Sequence, residues 1–298
     1  MFNKFGYTRF KMNPSSPCWC KSGKPYGNCH KETDDRLYDL QRIGVELPTH
    51  EMIKNHEIVS KIRLSAKINI ACLDYVEKNI GAGVTTEQIN QWINEITHDM
   101  GGIPAPLNYE GFPKSVCTSI NSEVCHGIPS KSIVLKEGDI INVDCSTIRN
   151  GYFSDSSRMF IIGETSPERK KLVEVARECV YKGLEQVKPW AFMGDMSNAI
   201  KSHARSNGYS VVRDIGGHGC GVEFHEDPYV SYVLRKGTGM VLVPGMVFTI
   251  EPMINAGTHR IYTDPHNHWT VYTDDGKDSA QWEIQVLVTE TGNEVLTW

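Results

Sequence analysis

The sequence predicts an α+β fold made of two successive units, each running helix, helix, strands. Three observations carry this expectation. Two amphipathic helical patterns precede the first strand-like stretches, and the same order returns in the second half. The composition, with 40% hydrophobic and 22% charged residues, 26 Gly and 14 Pro in 298 residues, is that of a globular chain, not of a disordered, collagen-like or coiled-coil one. The halves share no visible sequence identity, so the duplication is read from element order alone.

The elements follow in order. Residues 1–31 contain Lys4, Arg9, Lys11, Lys21, Lys24 and Lys31 but no Asp or Glu, so this arm is strongly basic. The whole chain has a net charge of -5, which leaves -11 on the rest; the asymmetry points to a separate basic module with an acidic partner, or to a solvated tail. Within the arm, Cys18 and Cys20 are followed by eight residues containing Gly23, Pro25 and Gly27 and then by Cys29-His30. Thiolates and imidazole are the usual ligands of tetrahedral zinc, and one ion would order a short polar segment that has no core. Exposed reactive thiols are the alternative. The pattern resembles the SEC-C zinc motif, which implies one structural zinc held by Cys18, Cys20, Cys29 and His30. Residues 32–50 are polar, include Pro48 and read as a linker with some helix; residues 51–298 read as the main domain.

In that domain Ile58, Ile62, Ala66, Ile70, Leu73, Val76 and Ile80 recur every three or four residues up to Gly81-Ala82-Gly83, the pattern of a long amphipathic helix. Thr85 with Gln88 makes a capping box for a second helix that ends at Gly101-Gly102. Strand composition fills 115–121 and 139–162, where Asn150-Gly151 signals a type I′ hairpin. Ser166-Pro167 opens a third helix and Asp195 is expected to cap a fourth that stops at Gly208. Strands are expected again at about 211–215, 240–255, 268–274 and 281–289.

Composition also excludes several classes. The longest apolar stretch, Met240 to Ile250, is about half the ~20 residues of a membrane span. An odd count of 9 Cys fits poorly with a disulfide framework, and no basic start leads into an apolar secretory segment. A cytoplasmic monomer without a membrane partner is expected.

The chemistry begins at the hairpin. With Asn150 and Gly151 as loop residues, Asp155 lies opposite Ser146 and on the same face as Asp144. Two carboxylates this close in an apolar sheet repel unless one is protonated or a cation lies between them; two solvated Asp on an edge strand are the alternative. A glycine-rich turn surrounds His218, Phe224-His225-Glu226 follows, and Glu251 and Glu283 each interrupt an apolar strand. Four buried carboxylates and one imidazole suit hard or borderline divalent ions, with charge enough for two.

Asp144, Asp155, His218, Glu251 and Glu283, in this order and with their flanks, resemble the type I methionine aminopeptidases. Lys114 to Asn121 and Val124 to Pro129 match the same family, and the resemblance covers about residues 50–298. It implies the duplicated pita-bread (creatinase/aminopeptidase-like) fold, two divalent ions (Co, Mn, Fe or Zn) held by those five residues, and a hydroxide between the ions as nucleophile. Glu251 doubles as proton acceptor, and His126 and His225 contact the scissile amide. Tyr109, Phe112, Cys117, Phe224 and Trp269 line a pocket for the methionine side chain. The implied substrates are nascent polypeptides beginning with Met before a small residue. Type II enzymes insert a long helical segment between the positions of His225 and Glu251, where this chain has 25 residues. The chain departs from the family at Ile284-Gln285, usually His-Thr, at Pro106, usually Cys, and at Phe112, usually Tyr. The competing readings are a non-catalytic pita-bread binding module and a zinc-module adaptor. An enzyme acting on nascent chains would gain from an arm that touches ribosomal RNA.

Overall fold

The computed structural model describes residues 12–298; Lys4, Arg9 and Lys11 of the basic arm lie outside them. Five α-helices organise the described chain: α1 (Lys31–Arg42), α2 (His56–Asn79), α3 (Thr86–Asp99), α4 (Pro167–Leu184) and α5 (Met193–Ser206). The caps explain most of their starts. Asn55 accepts from Ile58 N–H at the head of α2, Thr85 from Gln88 N–H at α3, and Ser166 from Arg169 N–H at α4, where Pro167 opens the helix. The start of α5 corrects an expectation. Asp195 is its third residue rather than its N-cap, and its carboxylate accepts from the Phe192 backbone N–H at 3.1 Å. The helix therefore begins at Met193, two residues before the acid that the sequence reading placed at its cap.

In the first half, α2 and α3 pack on a hairpin of two long antiparallel strands, Ile140–Arg149 and Tyr152–Ile161. Ile68, Cys72, Leu73 and Val76 of α2 and Ile89 and Ile93 of α3 bury against Ile141, Val143 and Cys145. In the second half, α4 and α5 bury Leu172, Ala176, Cys179, Met196 and Ile200 with the strands Val247–Ile250 and Ile284–Val288. These strands pair with each other and, through Gly217–Gly219, with Glu226–Val230. The expected strand at 240–255 starts only at Val247, because Pro244 offers no N–H and Gly245 turns the chain with φ 95°. A bridge between Ser157 and Glu283 joins the halves, and the halves meet where the acids stand. No helix among the described residues is long and apolar enough to cross a membrane.

Helix α1 occupies much of 32–50 and ties the N-terminal segment down. Asp34, 4% exposed, accepts from Trp19 Nε1 (3.0 Å) and Tyr26 OH (2.9 Å) and pairs with His50 Nε2 (2.9 Å). Trp19 stacks on His50 at 3.8 Å, and Asn55 Nδ2 donates to the Cys20 carbonyl at 2.7 Å.

Candidate active site

The hairpin register pairs Ser146 with Asp155 and Asp144 with Ser157, as the two-residue loop requires. Asn150 and Gly151 both have positive φ, 51° and 79°, the geometry of the expected turn. Asp144 and Asp155 thus face the same side, toward the second half of the molecule. From there His218 arrives on the short strand Gly217–Gly219, Glu251 at the end of Val247–Ile250, and Glu283 just before Ile284–Val288. The floor of the site is a junction of sheets.

Distances within it are short. His218 Nε2 lies 3.7 Å from Asp155 Oδ2 and 3.5 Å from Glu251 Oε1. Ligand atoms of Asp155, His218 and Glu283 lie within 4.8 Å of one another. His218 Nδ1 is 3.0 Å from the Gly219 carbonyl, so the proton belongs on Nδ1 and the Nε2 lone pair faces the acids. Ser146 Oγ donates to Asp155 Oδ1 (2.7 Å). Thr249 Oγ1 and Gln281 Nε2 donate to the two oxygens of Glu251 (2.6 and 3.1 Å), and the Glu251 N–H donates to Tyr232 OH (2.8 Å). Asp144 lines the cavity, and its enclosed Oδ1 has no hydrogen-bond partner among the described residues.

None of the four carboxylates pairs with a lysine or arginine among the described residues. Burial and mutual repulsion therefore favour their neutral forms. Burial pushes Asp144 up to about 7 and Glu251 up to about 8, while burial and then the neighbouring acids raise Asp155 and Glu283 well above the carboxylate range. Burial lowers His218 to about 3, so the imidazole supplies no compensating charge. An enclosed, unpartnered carboxylate oxygen beside three clustered donors is what divalent cations would satisfy, and the oxygen-rich set with one imidazole fits them.

Above this floor is a cavity of about 500 Å³. Phe112 and Trp269 meet edge to face at 5.2 Å, Tyr109 and Phe224 at 4.8 Å, and Cys117 and His126 complete the wall. His225 Nδ1 is 3.0 Å from Tyr109 OH, and burial lowers both His225 and His126, the latter to about 4. All twelve residues expected at the catalytic centre line this one cavity. Sequence reading missed Ile215 and Tyr229 on its wall, and the supporting Thr249 and Gln281. The signal for the last two was present: each stands two residues before a site carboxylate, hence on the same strand face.

The departures also have places. Ile284 is buried in the core, and Gln285 Nε2 donates to the Cys220 carbonyl at 2.9 Å. In the N-terminal segment, Cys18 Sγ lies 3.3 Å from His30 Nδ1, Cys20 Sγ 3.6 Å from Cys29 Sγ, and Cys29 Sγ 3.2 Å from His30 Nδ1. All four donor atoms lie within 4.8 Å of one another, and all three thiols are free. That is the spacing of ligands around one tetrahedral ion.

A ring of four carboxylates and one neutral imidazole beneath an aromatic cavity, between two helix-and-sheet halves, is the site of a metal-dependent hydrolase. The profile of metallopeptidase family M24 matches residues 60–290. A methionine aminopeptidase A of Synechocystis is 48% identical over 240 residues, which cover 80% of this chain and 94% of that one. A methionine aminopeptidase of Chlamydia trachomatis is 40% identical over 293 residues, 96% of this chain and 99% of the relative. The crystal structure of methionine aminopeptidase from Rickettsia prowazekii superposes with a TM-score of 0.81 at 43% identity, covering 83% of this chain and 99% of that one. The chain belongs to metallopeptidase family M24, and within it to the methionine aminopeptidases. Its fold is the pita-bread fold, and divalent metal ions serve its active site.

Proposed function

We propose that this protein removes the initiator methionine from nascent chains when the second residue is small, acting as a type I methionine aminopeptidase of the cytoplasm. The observation that carries the reading is the convergence of Asp144, Asp155, His218, Glu251 and Glu283 at the floor of one aromatic-walled cavity. These five residues would hold two divalent ions, among Co, Mn, Fe and Zn. Bound there, the ions supply Lewis acidity, lowering the pKa of water and polarising the scissile carbonyl.

The chain's own groups do the rest. Glu251, steadied on both oxygens by Thr249 and Gln281, is placed to accept a proton and pass it to the leaving amine. His126 and His225, kept neutral by burial, can hydrogen-bond the scissile amide, and Tyr109 orients His225. Tyr109, Phe112, Phe224 and Trp269 form an apolar slot, and burial keeps the Cys117 thiol protonated, a soft partner for a thioether. A bulky second residue would meet the walls next to the scissile bond. Rates on Met-Ala and Met-Leu peptides test this: efficient release of Met from the first and little from the second is expected, and equal rates would overturn the specificity.

Cys18, Cys20, Cys29 and His30 would bind one structural zinc as a SEC-C motif. The expected readout is one zinc per chain beyond the active-site ions, lost in Cys18→Ser or Cys29→Ser. The basic arm would touch ribosomal RNA, checked by salt-dependent co-sedimentation with ribosomes that weakens when residues 1–31 are removed.

A further inference from the structure

A second cavity, of about 590 Å³, lies beside the catalytic one: Arg213 lines it while the next residue, Asp214, lines the catalytic cavity. Its chemistry is opposite in sign. Asn198, Lys201, Ser202 and Arg205 stand at positions i, i+3, i+4 and i+7 of α5 and form one wall. Arg213, beyond the short strand Ser210–Val211, and His259, in the loop after Met253–Asn255, form the other. No Asp or Glu lines it.

The positive charges are also left over. Arg205 and Arg213 make no ion pair among the described residues, and the Lys201 ammonium reaches only the carbonyls of Val233 (3.4 Å) and Leu234 (3.2 Å). Nearby Glu178 is engaged by His203 at 2.7 Å. The C-terminal end of a helix favours a cation such as Arg205, but that effect does not reach Arg213 on another segment. A gathering of like charges in a concavity is costly without a counter-charge, and it occurs here on a body of net charge -11.

We propose that this cavity binds a phosphate group. Two guanidinium forks, one ammonium and the hydroxyl and amide donors of Ser202 and Asn198 match a multiply charged tetrahedral anion, whereas a single carboxylate would leave charge unanswered. The phosphate can belong to a free phosphorylated small molecule or to an RNA backbone. Calorimetric titration of the metal-loaded full chain with inorganic phosphate and with a single-stranded RNA decamer distinguishes the two. Binding of phosphate comparable to RNA assigns a small-molecule site, and RNA at least about tenfold tighter, with a steep salt dependence, assigns a backbone site. In either case Lys201→Gln/Arg205→Gln should weaken binding about tenfold or more, and Arg213→Gln, on a separate segment, should weaken it severalfold. Hydrolysis of a Met-Ala peptide and the melting temperature should stay unchanged in these variants. Undiminished affinity in both variants, as anion binding at the catalytic ions or the N-terminal arm would give, overturns the proposal, as does failure of both probes to bind at millimolar concentration.

Discussion

At the scale of single residues, charge rather than shape decides the site. Asp155→Asn and Glu251→Gln keep side-chain volume but remove ligand charge, so each should lower turnover by at least about a hundredfold at saturating metal while circular dichroism stays native. Wild-type activity in either would refute the metal-holding role. His225→Ala should behave differently. His225 hydrogen-bonds Tyr109 and its ring lies 4.2 Å from that of His218, but it is not one of the clustered donors, so the variant should lose activity and retain its metal content. These residues were legible in the sequence because a carboxylate in an apolar strand is anomalous by itself. Thr249 and Gln281 were not, since a buried Thr or Gln is unremarkable until its partner is known.

At the scale of elements, the hairpin sets the spacing of the two aspartates. A Cβ at Gly151 would meet nothing within 4 Å, so the cost of Gly151→Ala is conformational: φ of 79° disfavours any L side chain. We expect a loss of about 1 kcal/mol, read as a lower denaturation midpoint at unchanged slope; an equal or higher midpoint would contradict the turn assignment. Helices α2, α3 and α4 and the hairpin register followed from local signals, namely caps, glycines and periodicity. The start of α5 did not, because an Asp at the third helical position and an Asp at the N-cap look alike in a sequence; the Phe192 N–H contact tells them apart. The short strands Gly217–Gly219 and Glu226–Val230 were equally hidden, since their pairing comes from distant segments.

At the scale of the whole molecule, the acid cluster links metal, pH and stability. Without metal, Asp144 and Glu251 hold protons in the folded state up to about pH 7 and 8, whereas the unfolded chain releases them near the ordinary 3.8 and 4.5. A raised carboxyl pKa contributes stability below the unfolded value that is lost as pH climbs through the folded one. The melting temperature of chelator-treated protein should therefore fall between about pH 5 and 8, and added divalent metal should raise it most at the alkaline end. A pH-independent metal increment would contradict the charge argument. The N-terminal segment poses a second question at this scale. Every residue lining the catalytic cavity lies at or beyond Pro106, yet Trp19 and the Cys20 carbonyl contact His50 and Asn55. A chain starting at Leu47 should hydrolyse short peptides at near-normal rate but melt several degrees lower; complete loss of hydrolysis would make the segment part of the catalytic machinery.

The sequence alone determined the order of helices α2 to α5, the hairpin register and the identity of the acids, because caps, turn residues and misplaced charges act over a few neighbours. Tertiary structure decided what brings the acids together and how deeply they are buried, since Asp144 and Glu283 meet only through packing of two halves distant in the chain. It also decided that the Cys18–His30 segment is held by Asp34 of α1 and bonded to the domain through Asn55. Burial is a property of the assembled surface, so neither the raised carboxyl pKa values nor the unpaired basic cavity beside α5 could be read from residue types in line.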